Sequence, residues 1–270
     1  MNLSALTNLA SRIEWMPTTG STNSDLVARV TASPADWPEF SVIGADFQTD
    51  GRGRAGRSWQ APTGSSLFVS VLLRPPATSV SVFGWLPLLA GLAIRDALGE
   101  AGLGERVKVK WPNDVLVDGK KIAGVLSEYV APVSAVVIGA GVNLLQTEDQ
   151  LATDSATSLS LEGASGIAPE EILAAYLSKL RSSYSALVAS SFDVEASSLR
   201  ARVIAGCATV NSKVRAILPG DQEFTGTAID IDATGRLVVR KDSDGTAESI
   251  SAGDIVHLRH FGGSFERIGS

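Results

Sequence analysis

The sequence predicts an α+β domain over residues 1–205 followed by a small all-β barrel over 206–270. Three observations carry this reading. The 270-residue chain is 44% hydrophobic and 19% charged, so it has the apolar content for a sizeable core and lies outside the disordered range. Up to Arg202, runs with helical spacing alternate with short β-rich runs. Beyond Thr209 only short strands remain, separated by turn residues.

The segments follow in order. Ser21-Thr22-Asn23-Ser24 offers a hydroxyl N-cap and opens a helix over 21–31, stopped before Pro34. Residues 40–47 (FSVIGADF) form a buried strand, 49–64 a loop of glycines and arginines, and 67–73 (LFVSVLL) a second strand halted by Pro75-Pro76. Residues 85–98 have helical spacing and end at Gly99, a C-cap. Short strands follow at 107–111, 115–117, 122–129 and 135–138, with Asp118-Gly119 as a hairpin turn. A polar loop spans 146–166. Pro169-Glu170-Glu171 then starts a helix over 169–188 that places Ile172, Leu173, Tyr176, Leu177, Leu180 and Tyr184 on one face. A short helix is expected over 192–202. Strands at 213–218, 224–231, 236–240, around Ile250 and at 255–259 are punctuated by Pro219-Gly220-Asp221 and by turns at 232–235 and 242–245.

Composition removes several function classes. A net charge of −6 weighs against a duplex nucleic-acid partner, whose phosphates select basic surfaces. One cysteine, Cys207, excludes an intramolecular disulfide and a multi-cysteine zinc site, and the two histidines, His257 and His260, lie near the C-terminus. The chain opens without a signal-peptide pattern. Its uncharged stretches, 75–94 and 129–147, are interrupted by proline, glycine or polar residues, so no membrane partner and a cytoplasmic location are expected.

Four strings carry chemistry. Gly51-Arg52-Gly53-Arg54-Ala55-Gly56-Arg57 follows a strand and matches G-x-G-x-x-G, but Pro62 and the lack of a helix-forming run after it argue against a dinucleotide site. What remains is a loop able to fold over an anion with backbone N–H groups and guanidinium forks, or else a solvated basic loop. Lys110-Trp111-Pro112-Asn113-Asp114 ends a strand in a polar turn. Lys121-Ile122-Ala123-Gly124 puts a cation at a strand start and a glycine where a ligand or another backbone can come close. Gly139-Ala140-Gly141-Val142-Asn143 is either a tight turn or a place where a planar ring touches backbone.

In this order, together with Ser21-Thr22-Asn23 and Gln48, these strings resemble the catalytic domain of biotin protein ligases over residues 21–145, and the following helices and barrel fit that family's layout. The resemblance implies a mixed sheet packed with helices, class II synthetase-like, and a C-terminal SH3-like barrel. It implies ATP-dependent activation of biotin as biotinyl-5'-AMP, then transfer to a lysine of a biotin carboxyl carrier domain of an acyl-CoA or pyruvate carboxylase, with Mg²⁺ accompanying ATP. Implied biotin contacts are Ser21, Thr22, Asn23, Gln48, Gly51, Arg52, Gly53, Arg54, Lys121 and Gly124; the first four suit a neutral ureido ring. Implied adenylate contacts are Arg54, Arg57, Trp59, Lys110, Asn113, Asp114, Gly141 and Asn143. Lys121, Arg52 and Arg54 are the implied catalytic groups, with Lys121 between the biotin carboxylate and the α-phosphate. Trp59 either packs on adenine or anchors the loop. No metal-ligand set is readable. The resemblance is to the short, ligase-only form, since only 20 residues precede Ser21, so DNA binding is expected to be absent and the protein to be a monomer or weak homodimer. Lipoate ligation, on a related fold, and a non-catalytic biotin or nucleotide sensor are the competing readings.

Overall fold

Seven strands form one mixed sheet in the order β1-β2-β3-β7-β6-β5-β4, where β1 is Arg12–Met16, β2 Ser41–Ala45, β3 Ser66–Leu73, β4 Val107–Lys110, β5 Asp114–Val117, β6 Lys120–Val130 and β7 Ala135–Asn143. The computed structural model describes residues 3, 6–76, 81–164, 166–218, 222–251, 254–261 and 264–268, the backbone alone at 254 and 258–268. β1 runs parallel to β2, and every other neighbouring pair in the sheet is antiparallel. The parallel pair requires a crossover, which helix α1 (Thr22–Ala32) supplies, capped by Ser21 Oγ accepting from the Ser24 N–H.

Strand alternation then decides what each face carries. On β7, Val136, Ile138, Ala140 and Val142 join the large core with α2 (Trp85–Leu98) and α3 (Pro169–Ala189). Val137 turns the other way, into a smaller cluster with Leu26 and Val30 of α1, and Gly139, Gly141 and Asn143 follow it on that face. β6 repeats the pattern: Val130 belongs to the α1 cluster, so Glu128, Leu126 and Gly124 share its face. The α1 side of the sheet is therefore apolar at one end and floored by glycine at the other. Leu173, Leu177, Leu180 and Leu187 on α3 are fully buried, each worth about 1.5–3 kcal/mol of burial free energy.

Helix α4 (Leu199–Gly206) leads into a second, antiparallel sheet in the order β11-β10-β9-β8-β12-β13, comprising β8 (Lys213–Ile217), β9 (Glu223–Ile231), β10 (Leu237–Lys241), β11 (Ala247–Ile250), β12 (Asp254–Phe261) and β13 (Ser264–Ile268). The large core continues into it through Val214, Ala228, Ile231, Leu237 and Val239. Two indoles pin its β9–β10 turn: Trp85 Nε1 donates to Ala233 O at 3.0 Å and Trp111 Nε1 to Gly235 O at 2.9 Å.

Several boundaries differ from expectation. β1 and β13 carry no strand pattern in the sequence reading. α2 ends at Leu98 with Gly99 as its C-cap, as expected, but Gly99 stays right-handed and leads into a π-turn over Gly99–Leu103, released at Gly102 with φ 98°. The short helix expected over 192–202 begins only at Leu199, because Phe192 and Ser198 hold left-handed backbone at φ 64° and 61°. The turn expected at Pro219-Gly220-Asp221 lies outside the described residues. Among the described residues, no helix is long and apolar enough to cross a membrane.

Candidate active site

The N-terminus of α1 brings Ser21, Thr22 and Asn23 onto the sheet, each only 4% exposed. Buried polar groups require partners, and these have them. Thr22 donates to Gln48 Oε1 through its N–H at 2.8 Å and its hydroxyl at 3.1 Å. Ser70 Oγ on β3 lies 2.8 Å from Thr22 Oγ1 and 2.6 Å from Asn23 Oδ1. Asn23 Nδ2 donates to Glu128 Oε1 at 2.8 Å and Leu126 O at 3.3 Å. Beneath it, a Cβ on Gly139 would stand 2.2 Å from Asn23 Oδ1, so only glycine allows the amide to lie on β7. The result is a neutral pocket of hydroxyls and amides. Ser70 and Glu128 escape a reading of the sequence, where Ser70 is a polar residue inside an apolar run and Glu128 follows Ser127 near the end of its strand.

The arginine loop folds back over the sheet as a narrow hairpin. The Trp59 N–H donates to Gly51 O at 2.8 Å and the Gly53 N–H to Arg57 O at 2.7 Å. Gly51 is required there, since a Cβ would meet Trp59 O at 2.2 Å. Arg52 Nη2 reaches Glu128 at 3.1 and 3.3 Å, and Arg54 Nη1 donates to Asn113 Oδ1 at 3.1 Å. The ring of Trp59 lies on Gly124 and Gly141, which face each other across β6 and β7; Cβ atoms there would come within 2.8 and 2.9 Å of the indole. The planar ring that the glycines admit is thus the loop's own tryptophan, which anchors the hairpin. Its Nε1 is buried without a hydrogen-bond partner.

At the other end, Lys121 Nζ sits 2.7 Å from Asp114 Oδ1 without hydrogen-bond alignment, and 5.3 Å from the centre of the Trp59 ring. Lys121 is held by its backbone: its N–H donates to Ser155 O at 2.7 Å and its carbonyl accepts from the Thr157 N–H at 2.8 Å. The loop at 146–157 therefore closes one side of the site, a contribution that no pattern in the sequence announces. Asn113 Nδ2 is tied to Val125 O at 2.8 Å. Asn143 donates to Thr157 O and accepts from Gln146 Nε2, both at 3.0 Å.

These groups share one cavity of about 680 Å³. Ser21, Thr22, Asn23, Gln48, Arg52, Gly53, Arg54, Arg57, Trp59, Lys110, Asn113, Asp114, Lys121, Gly124, Gly141 and Asn143 all line it; among the residues expected from the sequence, Gly51 alone does not. Neutral donors and acceptors gather at the N-terminus of α1, Arg54 and Lys121 lie at the Asn113–Asp114 turn, and Arg52, Arg57 and Lys110 add further positive charge to the lining. Such a cavity suits a molecule that is neutral and polar at one end and anionic at the other, brought against a second anion.

The second sheet closes the cationic end with Ile217, Ile255, Val256 and His257. Thr209 Oγ1 accepts from the Trp111 N–H at 3.0 Å and lies 3.0 Å from His257 Nε2, so it ties the histidine to the Trp111 turn. Burial, and then the nearby Lys110 charge, push the His257 pKa down to about 4 from 6.5. The unfolded chain therefore binds a proton that the folded one refuses. Stability from this group is complete above pH 6.5 and lost progressively as pH falls towards 4. His257→Gln should reduce the loss of unfolding free energy between pH 7 and 4.5 by about 2–3 kcal/mol relative to wild type, as read by urea denaturation. Identical pH slopes would show that His257 is not the group responsible.

Comparison with known proteins gives a consistent picture. Residues 16–143 match the biotin/lipoate A/B protein ligase family and residues 209–258 the biotin protein ligase C-terminal domain. The chain is 39% identical over 259 residues to the biotin–[acetyl-CoA-carboxylase] ligase of Mycobacterium tuberculosis, covering 92% of this chain and 90% of that one. It is 30% identical over 231 residues to the bifunctional ligase/repressor BirA of Escherichia coli, covering 84% and 68%. Among solved structures, the biotin protein ligase of Aquifex aeolicus in complex with biotin and ATP shares the fold (TM-score 0.73, 24% identity, 95% of this chain and 99% of that one). The Leishmania major enzyme with biotinyl-5-AMP aligns at TM-score 0.58 and 27% identity, over 89% and 99%.

Proposed function

The chain belongs to the biotin/lipoate A/B protein ligase family, and on that premise we propose that it is an ATP-dependent biotin–protein ligase. The observation that carries this is the single cavity whose neutral pocket and cation cluster are joined across a glycine floor. The ureido ring of biotin belongs among Ser21, Thr22, Asn23 and Gln48, because a neutral urea needs neutral donors and acceptors and these line that part of the cavity. Its valeryl chain then runs towards Lys121, with Arg52, Gly53 and Arg54 above and the Trp59 ring, seated on Gly124, alongside. The carboxylate oxygen attacks the α-phosphate of ATP, forming the C(O)–O–P bond of biotinyl-5'-AMP and releasing pyrophosphate. Lys121 stands between the two anions, lowering their repulsion and the charge that grows in the transition state. Arg54, Arg57 and Lys110 face the phosphates, and Trp59, Asn113, Gly141 and Asn143 line the nucleoside side.

Asp114, with Asn113 beside it, would hold the Mg²⁺ that enters with ATP. The donor chemistry fits, since Asp114 lines the cavity with its Oδ1 ion-paired to Lys121 and not hydrogen-bonded, and Mg²⁺ bound to phosphates needs only one or two protein carboxylates. The ion supplies charge neutralisation on the phosphates. Among the described residues there is no cluster of three or more His, Cys, Asp or Glu side chains that could hold a metal by itself.

In the second step the amine of a carrier lysine attacks the activated carbonyl, forming an amide and expelling AMP. The acceptor is the biotin carboxyl carrier domain of an acyl-CoA or pyruvate carboxylase. Residues 1–205 form the catalytic unit and 206–270 the C-terminal unit, which steadies the Trp111–Asp114 turn through Thr209 and Gly235. Exchange of labelled pyrophosphate into ATP tests this reading. Exchange should require biotin and fail with lipoate. Support by lipoate alone would favour the lipoyl reading, and biotin binding without exchange would favour a sensor.

A further inference from the structure

Glu128 lies outside the cavity lining, yet its carboxylate touches the ureido pocket and the arginine hairpin at once. Oε1 accepts from Asn23 Nδ2 at 2.8 Å and from Arg52 Nη2 at 3.1 Å; Oε2 lies 3.3 Å from the same Nη2. We propose that Glu128 is a positioning residue that fixes the hydrogen-bond polarity of Asn23 and ties it to the hairpin through Arg52, so that ureido recognition and hairpin closure are coupled. This rests on the ligase reading above.

Polarity follows from counting donors. A carboxylate paired with a guanidinium can only accept, and so can the Leu126 carbonyl. Both N–H bonds of Asn23 are consumed by these two acceptors, so its Oδ1 must face the other way. There it meets Ser70 Oγ at 2.6 Å and the bare backbone of Gly139, on the wall of the cavity, where its second lone pair would accept a ligand N–H. A reversed amide would set its oxygen against the Glu128 carboxylate and the Leu126 carbonyl, neither of which can donate. Glu128 thereby makes Asn23 an acceptor, which selects a ring that offers N–H groups.

Coupling follows from shared atoms. Arg52 and Asn23 converge on Oε1, so the hairpin's first arginine is seated only while Asn23 is correctly turned. Arg52 also forms the bridge to Ser58 that closes the hairpin. Glutamine at 128 keeps an oxygen at the Oε1 position, but it loses the negative charge that pairs with Arg52 and sets an NH₂ against Arg52 Nη2 where Oε2 now lies, so the shared contact is weakened.

Dissociation constants measured by calorimetry on the full chain read this coupling, with biotin, desthiobiotin (same ureido ring, no sulfur) and a non-hydrolysable ATP analogue as ligands. Wild type is compared with Glu128→Gln, Arg52→Ala and the double variant. Expected is a loss of about tenfold in affinity for biotin and desthiobiotin alike in Glu128→Gln, with the ATP analogue within about twofold. The double variant should be no more than about twofold weaker than the worse single variant, since both break one unit. Biotin affinity within about twofold of wild type, an equal loss for the ATP analogue, or additive effects in the double variant would each overturn the proposal. Binding and pyrophosphate exchange separate the two readings: a wild-type protein that binds biotin without exchange sinks the ligase reading and leaves this one to the cycle, and one that does not bind biotin at all overturns both.

Discussion

Lys121→Gln should lower biotin-dependent pyrophosphate exchange by about 10³-fold while the chain stays folded. The reaction brings a carboxylate against a polyphosphate, and in a partly desolvated cavity that repulsion is much larger than in water. Lys121 is the cation placed to offset it. Backbone bonds to Ser155 and Thr157 fix its strand position, and Asp114 and the Trp59 ring fix its head. Glutamine keeps the length and loses the charge. The structural cost should be modest, because the lysine side chain is 35% exposed and its one carboxylate partner sits at the cavity edge. Biotin binding measured alone should weaken far less than exchange, as the ureido pocket lies at the opposite end. A variant retaining a tenth or more of wild-type exchange would remove Lys121 from the chemistry.

The second large effect is expected from one methyl group. Gly139→Ala places a Cβ where Asn23 Oδ1 now lies, 2.2 Å away, and the neighbour cannot yield without giving up its bonds to Ser70, Glu128 and Leu126. Losing two buried hydrogen bonds at about 1–3 kcal/mol each corresponds to a rise in KM for biotin of at least about 30-fold. KM for ATP should change little, because Gly139 lies beneath Asn23 and far from the Lys110–Asp114 turn. Gly56→Ala offers a control at a turn where a Cβ would meet nothing, although its φ of 74° adds backbone strain. Equal KM values for biotin in wild type and Gly139→Ala would mean that Asn23 does not touch the substrate.

The reach of the sequence is clearest on β7. Alternation in Ile138-Gly139-Ala140-Gly141-Val142-Asn143 separates a core face from a face stripped of side chains, and the structure sets Asn23 and Trp59 on those two bare positions. The Lys110–Asp114 string and Lys121 are equally legible, because a cation at a strand end next to a turn is local information. What escapes the sequence is what only tertiary pairing creates. β1 (Arg12–Met16) carries two charges in five residues and becomes a strand only because β2 offers it a parallel edge. Ser70 and Glu128 look like incidental polar residues until β3 and β6 bring them to Asn23 across 47 and 105 residues of chain. The loop at 146–157 has no pattern, and its role comes from two backbone bonds to Lys121. The late start of α4 is hidden because left-handed backbone at Phe192 and Ser198 is not a residue preference for either type.

Ligation in this site requires the acid group of biotin to meet the α-phosphate at Lys121, and isotope tracing reads that event directly. Biotin labelled with ¹⁸O in its carboxylate is incubated with MgATP and a carrier domain, and the AMP released is analysed by mass spectrometry. Attack of the carboxylate on phosphorus followed by aminolysis at the carbonyl leaves one labelled oxygen in each AMP, matched by one biotinylated lysine. AMP free of label, or carrier modification that proceeds without AMP, would contradict it.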